Sequence, residues 1–269
     1  MFGPDSPINP KMSPQYSNLQ SLFFFDIVTV RENDNFASLP EEVQLSLMSR
    51  FQSEPRAYQG FEGLFSGMAG KATAQEAYHR QGMFFPEVSK IIGITTGMFV
   101  TTGENGDVTP KIHTISLPGA MKEKTVIRNF YSLVERIKAK RKEDGVSDIT
   151  LATFNGKRFD VPFLSKRSLV NNIEIPSWIQ TQGKKPWEHP VLDVMESWDF
   201  GGRYDYTSLA NMAYAFGIRD QKFIPYHTAD NLYHTTPQTA LLEVNDTILA
   251  GSYNEVIATM RLTKKLAGL

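Results

Sequence analysis

A carboxylate in the middle of an apolar run is the first residue of this sequence that calls for a chemical explanation. Asp26 interrupts Leu22-Phe23-Phe24-Phe25-Asp26-Ile27-Val28-Thr29-Val30, which reads as a central strand buried on both faces. An unpaired charge in such a place is costly, and a cation is the natural compensator. Asp160 is the second such acid. It follows the apolar run Ile149-Thr150-Leu151-Ala152-Thr153-Phe154 and the turn Asn155-Gly156-Lys157-Arg158-Phe159, and it opens a helix, where backbone N–H groups favour an anion. An ordinary helix-start acid explains Asp160 equally well in isolation. Glu255 is the third, on the last helix and seven residues from both Ile248 and Leu262. It therefore shares an apolar stripe that faces the sheet, although helix glutamates are more commonly exposed. One acid from a strand, one from a turn and one from a helix can converge on a single Mg²⁺ or Mn²⁺ cluster.

Other chemistries find no support. The sequence has no GxxxxGK[ST] phosphate loop, no HExxH helix and no GxSxG elbow, which excludes the common NTPase, zincin and hydrolase readings. His79, His113, His189, His227 and His234 lack ligand spacing. Cys is absent, so disulfides, thiolate metal sites and a thiol nucleophile are all excluded, in keeping with a reducing compartment. With 28 basic and 29 acidic side chains, overall charge points to no polyanionic partner. No stretch approaches the roughly 18 apolar residues of a spanning helix. The Pro-, Ser- and Asn-rich start lacks the features of a signal peptide. The expectation is a soluble cytoplasmic protein with no membrane partner.

The acids need elements to position them. With 269 residues, 41% of them apolar, the chain can bury a substantial core. Ile91–Thr101 and Lys111–Leu117 read as a hairpin around the turn residues Gly103-Glu104-Asn105-Gly106-Asp107. About sixty residues separate the first strand from this hairpin. Leu39-Pro40-Glu41-Glu42-Val43 marks a helix start there, and the segment reads as a mostly helical insertion, about residues 31–87. The spacing of Val126, Ile127, Phe130, Leu133, Val134 and Ile137 predicts a helix over 123–142. Its basic end, Lys138 to Lys142, is better explained by the exposed carbonyls of a helix terminus than by nucleic acid. Further helices are expected over Tyr206–Phe216 and about Thr239–Leu266. Strands alternating with helices predict an α/β fold, organised as a mobile tail over 1–20 and one domain over 21–269.

The ordered segments FFFDIVTV, KIIGITTG, FNGKRFDVPFL, GKKPWEHPVLDVMESWDF, YTSLANMAYAFGI and EVIATMRL resemble the predicted 3'-to-5' exonucleases related to the exonuclease domain of family-B DNA polymerases, part of the DEDD superfamily. The resemblance runs from about Leu22 to Leu262. It implies an RNase H-like mixed sheet flanked by helices, and four acids holding two metal ions roughly 3.5–4 Å apart for phosphodiester hydrolysis. Asp26 matches the first acid of the family's D-x-E pattern, and Val28 stands at the second. Asn155, Phe159 and Asp160 match N-x-x-x-F-D in full. Glu255 stands at the acid of Y-x-x-x-D-V-x-x-T, with Gly251 at the tyrosine. His227-Thr228-Ala229-Asp230 approaches a histidine version of that motif but has Leu232 where its acid would be. Asp193 also matches the family sequence; a structural role is expected for it, in one packed region with Lys185, Pro186 and Trp187.

The resemblance thus implies catalytic and metal-binding roles for Asp26, Asp160 and Glu255, and contacts to nucleic acid near Asn155 and Phe159. Losing one acid–base group commonly costs roughly 10²–10⁴ in rate. The leading expectation is an exonuclease-like protein that binds single-stranded DNA or RNA ends with weak or no hydrolysis. Two alternatives stand beside it. One is a working Mg²⁺- or Mn²⁺-dependent exonuclease that recruits Glu32 or Asp230 as a substitute ligand. The other is a protein-interaction module whose partner binds the helical insertion, Val30 to Pro86.

Overall fold

The computed structural model describes residues 18–53, 73–102, 107–116, 122–145, 147–185, 188–199 and 207–268. Strand β1 (Leu22–Arg31) is buried along its whole length except at Asp26, as its apolar and β-branched composition predicts. Successive side chains on a strand point to opposite faces, and the core divides accordingly. Phe23, Phe25 and Ile27 enter one apolar cluster, Leu22 and Phe24 a second, and Val28 and Val30 a third.

Strand β2 (Ser89–Thr102) pairs antiparallel with β1, and β3 (Asp107–Ser116) pairs antiparallel with β2. On the other side β4 (Thr150–Thr153) runs parallel to β1, and β5 (Val191–Asp193) parallel to β4. The order β3-β2-β1-β4-β5 places β1 at the centre of a mixed five-stranded sheet. This is the RNase H-like α/β arrangement expected from the sequence. Residues 103–106 of the hairpin turn lie outside the described residues.

Between β1 and β2 the described residues form α1 (Glu41–Ser53) and α2 (Ala74–Gln81), the latter closed by a capping box between Thr73 and Glu76. Helix α3 (Glu123–Glu143) buries Val126, Ile127, Phe130, Tyr131 and Val134 against one face of the sheet. Its basic end is used locally: Lys140 pairs with Asp144, Lys138 with Asp148, and Arg141 donates to the carbonyl of Ser147. Helix α4 (Asp160–Val170) follows β4 on the same face.

The other face carries α5 (Glu196–Asp199), α6 (Leu209–Ala215), α7 (Tyr226–Thr235) and α8 (Leu241–Leu266). Helix α8 begins two residues later than expected, after a 3-10 turn at Gln238–Ala240. Of the expected Tyr206–Phe216 helix, Tyr206 lies outside the described residues, as do Pro186, Trp187 and residues 1–17 of the expected tail. Leu19 is buried in the core. Helix α8 lies so close to β2 that a Cβ on Gly93 would stand 2.4 Å from Leu249 Cδ2, and one on Gly97 would stand 2.6 Å from Met260 Sδ. Two glycines on the strand therefore let the helix settle onto the sheet. Among the described residues, no helix is long and apolar enough to cross a membrane.

Candidate active site

The face of the sheet under α8 is apolar at both ends and polar in the middle. Phe24 packs with Val256 and Met260 in one cluster, and Val28 packs with Ile248 and Leu249 in another. Asp26 lies between them on the strand. Ser252 and Glu255, one turn apart, lie between them on the helix and occupy one of its faces. The acid that interrupts the apolar run thus meets the acid that interrupts the apolar stripe.

Asp160 arrives from the parallel side. Pairing between β1 and β4 covers only Leu22 to Phe24, so the N–H of Ile27 lies beyond it. Asp160 Oδ1 accepts that N–H at 3.1 Å and brings its carboxyl within hydrogen-bonding reach of Asp26. The three sequence-predicted acids are therefore brought together. Asp26 and Glu255 keep part of their surface open to solvent despite dense surroundings, whereas Asp160 is buried at 2% exposure. The three carboxyls thus sit between the central strand and the last helix, two of them reached by solvent.

Crowded carboxyls away from bulk water resist ionisation. Burial pushes Asp26 up to about 7, with Ser252 and Asp160 pulling the other way. Asp160 is held well above the usual carboxylate range by burial and then by the charge of Asp26. Glu255 is held well above it by burial and again by Asp26. A group whose pKa is raised by folding lends stability below its unfolded value and loses it as pH rises through its folded value. The protein without added metal is therefore expected to lose stability from about pH 4 to pH 7, the window of Asp26. One unit corresponds to about 1.4 kcal/mol, so the rise from 3.8 to about 7 makes Asp26 alone worth about 4 kcal/mol across that window. Urea unfolding in EDTA at pH 5 and pH 8 checks this; equal stability at the two values would contradict the crowding.

Tyr226 was not anticipated from the sequence. It opens α7, and its hydroxyl donates to Glu255 Oε2 at 2.8 Å. Burial, followed by the charge of Glu255, raises its phenol well above the ordinary range. A Cβ on Gly251 would stand 3.5 Å from Ile224 Cβ, two residues before Tyr226, so the segment carrying Tyr226 crosses the last helix one turn before Glu255. Phe84 sets its ring edge-on to both Tyr226 and Phe159, with centroids 5.7 Å away in each case. Phe159 also packs on Phe163 and remains partly exposed. Asn155 stands in the turn before Phe159 at a φ of 59°, in the left-handed region that asparagine tolerates better than most residues.

The donors present do not fit a two-ion centre. Two residues beyond Asp26, on its own face of the strand, stands Val28, 7% exposed among Ile92, Ala229, Leu241, Ile248 and Leu249. One oxygen of Asp160 is committed to Ile27 and one of Glu255 to Tyr226. Among the described residues, no group of three His, Cys, Asp or Glu is arranged to hold a metal ion. Asp26 and Ser252 face each other across the strand and the last helix, and Ser252 favours the charged form of the Asp26 carboxyl. Neither expected substitute supplies a free carboxylate. Asp230 is locked to Arg31 at 2.6 Å, and Glu32 accepts from Arg167 at 2.7 Å.

Residues 84–214 match the family described as predicted 3'-5' exonuclease related to the exonuclease domain of PolB. Over that segment, just under half of its length, the chain is similar to that family. The exonuclease-family match includes Asn155, Phe159, Asp160 and Asp193, while Asp26, Val28, Tyr226 and Glu255 stand outside it. No curated protein matches the chain. Among solved structures, the chain is similar to the family B DNA polymerase from the hyperthermophilic archaeon Pyrobaculum calidifontis, at 14% identity and a TM-score of 0.47 over 91% of this chain. It spans 24% of that polymerase chain.

Proposed function

We propose that this protein is an exonuclease-like binder of single-stranded DNA or RNA 3' ends, located in the cytoplasm, with weak or no hydrolytic activity. The observation that carries this reading is the composition of the site: Asp26, Asp160 and Glu255 converge, but Val28 beside them is built into an apolar cluster. A site of this composition falls short of the four acids a two-ion mechanism needs. Carboxyls pushed towards protonation repel a phosphate less than ionised ones and offer O–H donors. Phe159, partly exposed beside Asp160, supplies a ring for stacking a base, and Arg158 on the same turn is an exposed cation for phosphate. Asp26, Asp160 and Glu255 form the reacting end of the site in this reading, and Asn155 and Phe159 its strand-binding edge.

The test is gel retardation of a 3'-labelled single strand, as DNA and as RNA. Base–aromatic stacking contributes about 1–3 kcal/mol per base, so Phe159→Ala is expected to weaken retardation at least about fivefold, with circular dichroism unchanged. A strand that the unaltered protein never retards would remove the proposal.

A further inference from the structure

Asp193 closes the three-residue edge strand β5 at 2% exposure, and among the described residues no cation pairs with it. A buried carboxylate must be compensated, and here the compensation is entirely backbone. Oδ1 accepts the N–H of Asn155 at 2.7 Å and that of Met195 at 3.1 Å, while Oδ2 accepts the N–H of Lys157 at 3.1 Å. Two of these three donors belong to the turn that delivers Phe159 and Asp160 to the site.

The N–H groups of Arg158 and Phe159 close the turn on the carbonyl of Asn155, at 3.2 and 3.1 Å, and the Asp193 carboxylate ties the closed turn to β5. Asn155 is in the left-handed region, and a Cβ on Gly156 would stand 2.4 Å from the side chain of Thr153, so the chain reverses tightly over the end of β4. The N–H of Val194 joins the carbonyl of Thr153 at 2.8 Å and carries the β4–β5 pairing one step further. Outside this arrangement, Lys157 Nζ reaches Glu196 at 2.7 Å. The next groups along the chain are the Phe159 ring and the Asp160 carboxyl, which accepts from Ile27 on β1.

We infer that Asp193 is a positioning residue: its carboxylate pins the Asn155–Phe159 turn and so sets where Phe159 and Asp160 stand relative to Asp26. The functional half of this inference rests on the nucleic-acid reading above; the structural half does not. Burial holds the Asp193 carboxyl at about 6, against the pull of its three N–H donors. A neutral side chain of the same shape is therefore a mild replacement.

Asp193→Asn separates the donors. Its remaining oxygen can keep Asn155 and Met195, but its amide group turns a donor towards the N–H of Lys157. Amide hydrogen exchange should then quicken roughly tenfold or more at Lys157, the loss of one hydrogen bond, with Met195 still protected. Retardation of a 3'-labelled strand should weaken by a similar factor. Should the Asn variant fail to fold, Asp193→Glu is the second probe; its added methylene displaces the carboxylate and should expose both turn amides. Unchanged exchange at Lys157 would overturn the inference, as would equal acceleration across β4 and β5, the sign of global loosening. If the unaltered protein retards no strand but the Lys157 pattern appears, the positioning role stands and the nucleic-acid reading fails.

Discussion

Asp230→Ala is expected to lower the unfolding free energy by about 3–5 kcal/mol, because it removes the buried counter-charge of a buried guanidinium and leaves it only the exposed carboxylate of Asp34. Arg31 and Asp230 are both fully buried. The aspartate takes two bonds from this one residue, from the backbone N–H at 2.7 Å and from Nε at 2.6 Å. The rest of the guanidinium reaches the carbonyl and side chain of Asp34 and lies 5.3 Å from the Tyr78 ring centroid. One turn before Asp230 on α7 stands Tyr226, so the ion pair also seats the hydroxyl that Glu255 accepts. Denaturant unfolding measures the loss. Replacing both partners, as Arg31→Met with Asp230→Leu, should cost less than Asp230→Ala alone, since no charge is then stranded. A loss below about 1 kcal/mol for the single variant, the scale of an exposed pair, would show that the pair is not shielded from water.

Val28→Glu is expected to destabilise the protein by about 3 kcal/mol or more without added metal, from burying a carboxylate among aliphatic side chains. Val28 faces the same way as Asp26, and Leu249 lies on Gly93 directly across the strand pair. The added acid would therefore meet packed methyl groups on one side and a crowded, proton-holding carboxyl on the other. Urea unfolding at pH 8 is the measurement, since a new carboxylate is most fully ionised there. Near-equal stability would mean that position 28 opens onto the polar site and that its apolar packing is loose.

Much of the positioning machinery was legible in the residues themselves. The run around Asp26 could only be an inner strand, because it combines β-branched and aromatic residues without a helical period. The oddness of one acid inside it singled out Asp26, which the fold brings together with Asp160 and Glu255. The turn from Asn155 to Asp160 was readable because its residues are contiguous. The rest depended on distance in sequence. Tyr226 and Glu255 are 29 residues apart on different helices, and no spacing rule relates them. Asp230 sits among polar neighbours and reads as an exposed helix acid or a spare ligand; its partner Arg31 lies 199 residues away. Glu32 was open to the same misreading, because Arg167, which binds it, is 135 residues on. Local pattern reports which groups are anomalous, whereas long-range pairing decides which of them are already satisfied.

The measurement that bears most directly on the central claim is release of nucleotides from 3'-labelled single-stranded DNA and RNA in Mn²⁺, comparing the protein with its Asp26→Ala plus Asp160→Ala form. The account predicts that the protein retards the strand yet releases no more nucleotide than the double variant. Release by the unaltered protein that disappears in the double variant would contradict it, and would mean that the site completes its chemistry without an acid at Val28.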